Sequence, residues 1–349
     1  MSNSHFRFFA RLALAVLVIF MVSAVNAGQL SCRLHDADET AEALDAFINE
    51  LEALPNNHEI NRQIEQCYED NKPALKWFDV RKLLDNLRPT DNYLVMANVL
   101  DSHTREATMD RISESYLEIR SDQADPAMVA DIAAYQRSPY ERNRLIKEYA
   151  QAKIKNLDLQ QLMLLLEGLG NTYRSLNEFS PRVVTDELLE QFFQAHIQSL
   201  KPDEVVRIAE AKRFPHDGNR LISQYYQSHK HRLDWKRDVE RLLEGLRLSH
   251  HADKQYASQY ITDGVSASYL ELHSADTAAE LAIEIAGLQS SPYEYNRLIE
   301  SFISQHNFLL CWEMNELLMN SLTQTPFDTP MYSLKSTRNR IILSGKKCQ

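Results

Sequence analysis

The chain has 349 residues, of which 49 are acidic and 38 are lysine or arginine, giving a formal net charge of −11. This negative field repels phosphate backbones and anionic lipid surfaces, so the composition argues against a nucleic-acid-binding protein. The chain has only 8 glycines and is rich in Leu, Ala, Glu, Gln and Arg, which favours helix over sheet.

The N-terminal segment has the three parts of a secretory signal peptide. Arg7 and Arg11 precede an apolar run from Leu12 to Val25, and Ala27 ends a small-residue site of the kind that a signal peptidase reads. The run is shorter than the roughly 20 residues of a transmembrane helix, which favours cleavage after Ala27 over an uncleaved anchor.

No later apolar run is long enough to cross a bilayer, so no transmembrane span is expected after cleavage. A lipoprotein anchored through Cys32 is a weaker alternative, because Gln29 stands where a lipobox has Leu. We therefore expect a periplasmic or secreted protein.

The cysteines are four in number: Cys32, Cys67, Cys311 and Cys348. In an oxidising compartment an even number tends to pair, and three pairings are possible. We favour Cys32–Cys67 and Cys311–Cys348, because each joins a terminus to the element beside it, with free buried thiols as the alternative. No CxxC or clustered Cys/His spacing indicates zinc, and we expect neither a metal nor another cofactor.

An Asn-Arg pair recurs four times, at offsets of 82, 76 and 77 residues. The pairs are Asn61-Arg62, Asn143-Arg144, Asn219-Arg220 and Asn296-Arg297. Two of them follow a Ser-Pro-Tyr-Glu sequence, beginning at Ser138 and Ser291. Serine at the N-cap, proline at N1 and glutamate at N3 predict a helix start with a capping box.

Apolar residues at helical spacing accompany these pairs. The first set follows each pair and predicts a buried face: Leu145, Ile146, Tyr149; Leu221, Ile222, Tyr225; Leu298, Ile299, Phe302. A second set recurs at offsets of 82 and 77: Val80, Leu83, Leu84, Leu87; Leu162, Leu165, Leu166, Leu169; Val239, Leu242, Leu243, Leu246. A third set precedes two of the pairs: Met128, Ile132, Tyr135; Leu281, Ile285, Leu288. Cys67 occupies the third position of the first set and should point inward.

The predicted fold is all-α: an α-solenoid-like helical repeat array of about 77 residues per repeat, with three full units of about four helices each and a half-unit at each end. The boundaries are 1–27 for the signal peptide, 28–76 for the N-terminal half-repeat, 77–156, 157–233 and 234–306 for the three repeats, and 307–349 for the C-terminal half-repeat and tail.

The recurring asparagine is unusual, because Asn is a poor residue for a helix interior. One interpretation is a structural ladder, in which each Asn bonds backbone left open by a neighbouring helix end and each Arg bridges to the next unit. The other is a binding groove that recognises carboxylate, sugar or peptide. Its residues would be Asn143, Arg144, Asn219, Arg220, Asn296 and Arg297.

The sequence Tyr135-Gln136-Arg137-Ser138-Pro139-Tyr140, and more loosely Leu288 to Tyr293, resembles the Phe-Tyr-x-Ser-Pro-x-Gly motif of a helical domain found in exported bacterial proteins of unknown function. The resemblance covers about 40 residues of each unit and implies only export and helices. The chain departs from the motif at Glu141 and Glu294, where the family has Gly.

Motifs of catalysis are missing from the sequence: we find no Walker loop, dinucleotide fingerprint, HExxH or GxSxG. His229, His231 and the pair His250-His251 are interpreted as residues of solvated turns. Two functions are expected from these observations: a non-enzymatic scaffold or binding module for another envelope protein, or, as the alternative, an envelope enzyme that acts on cell-wall or surface glycan through two carboxylates.

Overall fold

The 3.6-residue periodicity of the sequence appears as helix throughout the described chain. The computed structural model describes residue 32 and residues 40–90, 104–172, 177–248, 254–306 and 312–322. Over these residues 74% of positions are helical, in fifteen α-helices and without a strand. The all-α class is therefore confirmed.

The chain divides into two compact units. Unit 1 comprises Met1–Ala150, Gln160–Arg174 and Phe179–Pro181; unit 2 comprises Gln151–Leu159, Ser175–Glu178 and Arg182–Gln349. The helices that begin in unit 1, or lie mostly in it, are α1 (Thr40–Leu51), α2 (Asn57–Asn71), α3 (Trp77–Asp85), α4 (Arg105–Arg120), α5 (Pro126–Ala134), α6 (Pro139–Lys153) and α7 (Leu159–Glu167). Within this unit α2 packs against α3 and α4, and α4 packs against α5.

The helices of unit 2 are α8 (Pro181–His196), α9 (Pro202–Ala211), α10 (Pro215–His229), α11 (Glu240–Glu244), α12 (Ser258–His273), α13 (Ala279–Ala286), α14 (Pro292–His306) and α15 (Trp312–Ser321). A π-helical turn at Trp235–Val239 leads into α11, and short 3-10 turns lie at Lys254–Tyr256 and Ser274–Asp276. Helix α10 packs against α9 and α12, and α12 packs in turn against α13 and α14.

The apolar face that follows each Asn-Arg pair is buried, as predicted. The buried residues are Leu145, Ile146, Tyr149, Leu221, Ile222, Tyr225, Leu298, Ile299 and Phe302. On α5 and α13 the predicted face is shifted: the buried stripe runs through Val129, Ile132 and Ala133, and through Ala282, Ile285 and Ala286. Leu288, which the spacing placed on that stripe, is exposed.

The helix starts combine a cap with proline. Asn56 caps α2, since its side chain accepts a hydrogen bond from the amide of Glu59 at 2.8 Å. Pro139, Pro215 and Pro292 are the first residues of α6, α10 and α14. Phe214 holds the cap position of α10 and offers no capping side chain, as the sequence predicted.

The π-helical turn explains a one-residue difference between two parts of the sequence. Three residues separate Leu159 from Leu162 at the start of α7, whereas four separate Trp235 from Val239. The π turn accommodates the additional residue, because its hydrogen bonds reach one residue further than those of an α-helix. Leu242 therefore still points into the core.

A disulfide joins Cys32 to Cys67 on α2, with a Cα–Cα distance of 5.2 Å. Asn71, one turn further along α2, donates to the carbonyl of Cys32 at 2.6 Å and holds the same segment. This predicted pair is thus confirmed and Cys67 points inward; Cys311 and Cys348 lie outside the described residues.

Across the described ranges, no helix combines the length and the apolar character required to cross a membrane. The predicted signal peptide, residues 1–27, and the pair His250-His251 lie outside those ranges.

Candidate functional site

The asparagines of the recurring pairs are completely buried. Asn61, Asn143, Asn219 and Asn296 each have an exposed fraction of 0%. In the three copies with described partners, the side chain pairs with both backbone groups of one residue just beyond the end of a later helix. Asn143 donates to the carbonyl of Gly170 at 2.9 Å and accepts from its amide at 2.7 Å.

The same pairing joins Asn61 to Arg88, at 3.0 and 2.8 Å, and Asn219 to Arg247, at 2.8 and 2.9 Å. The second amide hydrogen also has an acceptor: Asn143 donates to the Phe179 carbonyl at 2.8 Å, and Asn219 to that of Tyr256 at 3.0 Å. These contacts support the structural ladder, because the buried amides bind open backbone.

A recurring aspartate, which the sequence reasoning missed, fixes the loop before each Asn-Arg helix. Asp110, Asp186 and Asp263 are spaced by 76 and 77 residues, the interval of the Asn-Arg pairs. Each accepts a backbone amide at 2.9 Å, from Arg137, Arg213 and Ser290 respectively. Their spacing could have revealed them in the sequence.

The arginines of the pairs are engaged by carboxylates. Arg144 contacts Glu114, Glu141 and Glu148 at 2.6 to 2.9 Å. Hydrogen bonds from Glu141 first, and from Glu114 and Glu148, hold the pKa of Arg144 above its usual value. Arg220 contacts Glu190 at 2.7 Å, and Arg297 contacts Glu294 at 2.6 Å.

The predicted direction of these arginine bridges is wrong. Glu114 and Glu190 precede Arg144 and Arg220 within the same predicted repeat, whereas the asparagines bond forward to residues of the next one. The physical reason is that a helix presents successive residues on different faces, so Asn and Arg point to different neighbours.

His229 is also placed differently from its predicted solvated turn. It is buried, its ring stacks on Tyr225, and its Nδ1 lies 2.9 Å from the Tyr225 carbonyl. His306 repeats this arrangement on Phe302. His231, two residues after His229, is exposed as predicted.

Among the described residues, one carboxyl group has a raised pKa. Burial raises the pKa of Asp110, against the opposing effect of the Arg137 amide that it binds. The pKa of Glu190 is lowered: burial acts against ionisation, but the hydrogen bond and charge of Arg220 outweigh it. The described part of the chain also contains no group of three His, Cys, Asp or Glu residues that could hold a metal.

Exposed apolar side chains lie along one edge of unit 2, which we call the apolar edge. Its members are Phe214, Leu248, Tyr260 and Leu288, with exposed fractions of 41%, 78%, 62% and 38%. Three contacts bring them together. Arg247 donates to the Phe214 carbonyl at 3.4 Å, Asn219 holds Arg247 and Tyr256, and Gln259 donates to the Leu288 carbonyl at 3.1 Å.

A cation adjoins this edge. The guanidinium of Arg213 lies 4.6 Å from the centre of the Phe214 ring, and His216 stacks on the same ring. Arg213 is exposed, and its side chain has no carboxylate partner among the described residues. The edge therefore offers apolar surface beside an available positive charge.

Comparison with known proteins identifies no relative: no family model matches the chain, and neither the curated proteins nor the solved structures contain a significant match.

Proposed function

We propose that this chain is a non-enzymatic scaffold of the cell envelope that binds another protein along the apolar edge. The observation that carries the proposal is the exposure of Phe214, Leu248, Tyr260 and Leu288 on one side of unit 2. Contiguous exposed apolar surface on a globular protein is typical of an interaction site. The enzyme alternative requires two suitably tuned carboxylates, and Asp110 has no described counterpart.

The partner that fits this edge is a protein segment with apolar side chains next to a carboxylate. Apolar side chains would cover Leu248 and Tyr260, and the carboxylate would meet Arg213, which lies over Phe214. A charge at the rim of an apolar contact sets orientation and partner choice more than affinity.

We further propose that the helices form a repeat array of about 77 residues per unit, with the boundaries predicted from the sequence. Residues 77–156 hold α3–α6, residues 157–233 hold α7–α10, and residues 234–306 hold the π turn and α11–α14. The recurring bonds of Asn143 and Asn219, and of Asp110, Asp186 and Asp263, support this proposal.

Export with cleavage after Ala27 is likewise proposed, and the Cys32–Cys67 disulfide supports it, since disulfides persist in oxidising compartments. Mass spectrometry of the mature protein would locate the cleavage site. Recovery from the cytoplasm with an intact N-terminus would contradict export.

The binding function is tested by site-specific photocrosslinking in the envelope of the producing cell. A crosslinker at Leu248 or Tyr260 should capture one partner, and Leu248→Asp combined with Tyr260→Asp should abolish its co-purification. The matched control is Leu272→Asp, an exposed apolar position near the end of α12.

Circular dichroism must show that both variants remain folded, because the changed side chains are largely exposed. Partner capture should depend on Arg213 as well, and Arg213→Glu should weaken it. Equal capture by the edge variant and the Leu272 variant would contradict the proposal.

A further inference from the structure

A cleft of about 260 Å³ lies between α2 and α4 in unit 1, away from the Asn-Arg contacts. Its lining residues are Glu65, Glu69, Arg111, Ile112, Glu114, Ser115 and Glu118. The four glutamates form two rows, each with i, i+4 spacing, on the two facing helices. Like charges at this spacing destabilise a helix, so the rows are not explained by the stability of α2 and α4.

The positive charges around the cleft do not engage all of these carboxylates. Arg111 binds Glu65 at 2.7 Å, and Arg144 binds Glu114 at 2.6 Å. Glu69 has a contact of 2.9 Å with a lysine one turn away on α2. Glu118 is exposed and has no partner among the described side chains.

Unit 2 contains the same pair of helices without the charge. The positions on α10 and α12 that correspond to Glu65, Glu69, Arg111 and Glu114 are Ser223, Gln227, Gly264 and Ala267. Other positions keep their residue: Tyr68 corresponds to Tyr226, Ser115 to Ser268 and Glu118 to Glu271. The acidic cleft is thus an addition to a shared framework.

The two tyrosines differ in a way that points to a ligand. Tyr226 donates to the carbonyl of Val265 at 3.2 Å, whereas the fully buried hydroxyl of Tyr68 has no hydrogen-bond partner within normal distance. The Tyr68 hydroxyl lies beside Ser115 and is influenced by the charges of Glu69 and Glu118, three residues that line the cleft. A buried polar group without a partner is unusual and needs an explanation.

We propose that this cleft binds a primary ammonium group. An ammonium has three N–H donors and no acceptor, and the carboxylates of Glu69 and Glu118 with the Ser115 hydroxyl offer three acceptors. Tyr68 acts as a positioning residue: its O–H would donate to the Ser115 oxygen from the buried side while Ser115 accepts from the ligand. The described carboxylates do not form a three-ligand metal group, which favours an organic cation.

Isothermal titration calorimetry at low ionic strength tests this proposal with two probes, 1,5-diaminopentane and Nα-acetyl-lysine methylamide. Both should bind the full-length protein, and Glu118→Gln should weaken binding at least tenfold. The matched control is Glu271→Gln at the corresponding position of unit 2, which should change nothing. Tyr68→Phe should weaken binding about threefold without lowering the melting temperature, which separates positioning from a structural role.

The two probes also distinguish the source of the ammonium group. Tighter binding of the diamine assigns a free polyamine, and tighter binding of the lysine derivative assigns a lysine side chain of a protein. Absence of binding by both probes would overturn the proposal, as would equal binding by the Glu118→Gln variant. Full displacement of diaminopentane by equimolar magnesium chloride would replace the ammonium with a metal ion and would also overturn it.

Discussion

Asn143 pairs with Gly170 as one peptide group pairs with another: its amide donates to the Gly170 carbonyl, and its oxygen accepts from the Gly170 amide. The glycine lies just after α7, where the chain leaves the helix and its backbone groups lose their helical partners. A single buried side chain therefore replaces the missing backbone bonds, which explains why Asn recurs despite its poor helix propensity.

Replacement of these asparagines should destabilise the protein. Asn143→Ala and Asn219→Ala each leave buried backbone groups unsatisfied, at an expected cost of about 1 to 3 kcal/mol. Thermal melts followed by circular dichroism would measure the loss. Asn156→Ala, at an exposed position, is the control and should stay within about 0.5 kcal/mol of the wild type. Three coincident melting curves would contradict the ladder.

The ion pair of Glu190 and Arg220 should make stability depend on pH. The folded pKa of Glu190 lies below its ordinary value, although burial opposes this shift, because Arg220 binds the carboxylate. Such a group stabilises the fold above its unfolded pKa, and the stabilisation disappears as pH falls through the folded pKa.

Glu190→Gln should therefore lower the free energy of unfolding at neutral pH by up to about 1 kcal/mol and have little effect at a pH below both values. Urea unfolding at several pH values would measure the difference between variant and wild type. A difference that stays constant from neutral to strongly acidic pH would show that the ionised pair is not its cause.

The tyrosines Tyr68 and Tyr226 should respond differently to removal of the hydroxyl. Tyr226→Phe loses the bond to the Val265 carbonyl and should cost about 1 kcal/mol. Tyr68→Phe removes a buried hydroxyl that has no bond in the unliganded protein, so its stability should be unchanged or slightly higher. Denaturant unfolding of both variants measures this, and equal losses would show that Tyr68 has a partner of its own.

Much of the fold follows from the sequence, because buried faces with large apolar residues have a clear helical period. Leu145, Ile146 and Tyr149 illustrate this. The face of α13 was harder, since Ala282 and Ala286 form much of its buried stripe. Small residues carry little hydrophobic signal, so a search for large apolar residues selected Leu288, which is exposed.

The candidate site was less accessible to sequence reasoning. The Asn-Arg pairs were visible because two adjacent polar residues recur, but the direction of each arginine depends on tertiary packing. Glu114 lies 30 residues before Arg144, and no local pattern connects them. The acidic cleft joins Glu69 on α2 to Glu118 on α4, and only the packing of these helices brings them together.

The Cys32–Cys67 disulfide should contribute strongly to the stability of unit 1. It closes a separation of 35 residues, for which the chain-entropy model gives roughly 3 to 4 kcal/mol. Cys32→Ser combined with Cys67→Ser should lower the melting temperature accordingly, in calorimetry under non-reducing conditions. A melting temperature equal to that of the wild type would indicate that the bond constrains the unfolded chain little.

The π-helical turn leads to the final prediction, which concerns one residue of chain length. Deletion of Arg237 leaves the sequence Trp235-Lys236-Asp238-Val239, which has the same spacing as Trp77-Phe78-Asp79-Val80 at the start of α3. The shortened segment can therefore form an ordinary α-helical turn while Val239 keeps its buried position. We expect a folded protein whose stability changes by no more than about 1 kcal/mol, since Arg237 is largely exposed and its surface pair with Asp238 contributes little.

Deletion of Phe78 is the matched control. Phe78 is equally exposed, but α3 has no additional residue, so its removal rotates the following apolar residues by about 100°. Val80, Leu83 and Leu84 would leave the core, and the loss of even one such side chain costs about 2 to 5 kcal/mol. Circular dichroism melts of the two deletion variants compare the outcomes. Equal destabilisation would show that the π turn does not accommodate an extra residue.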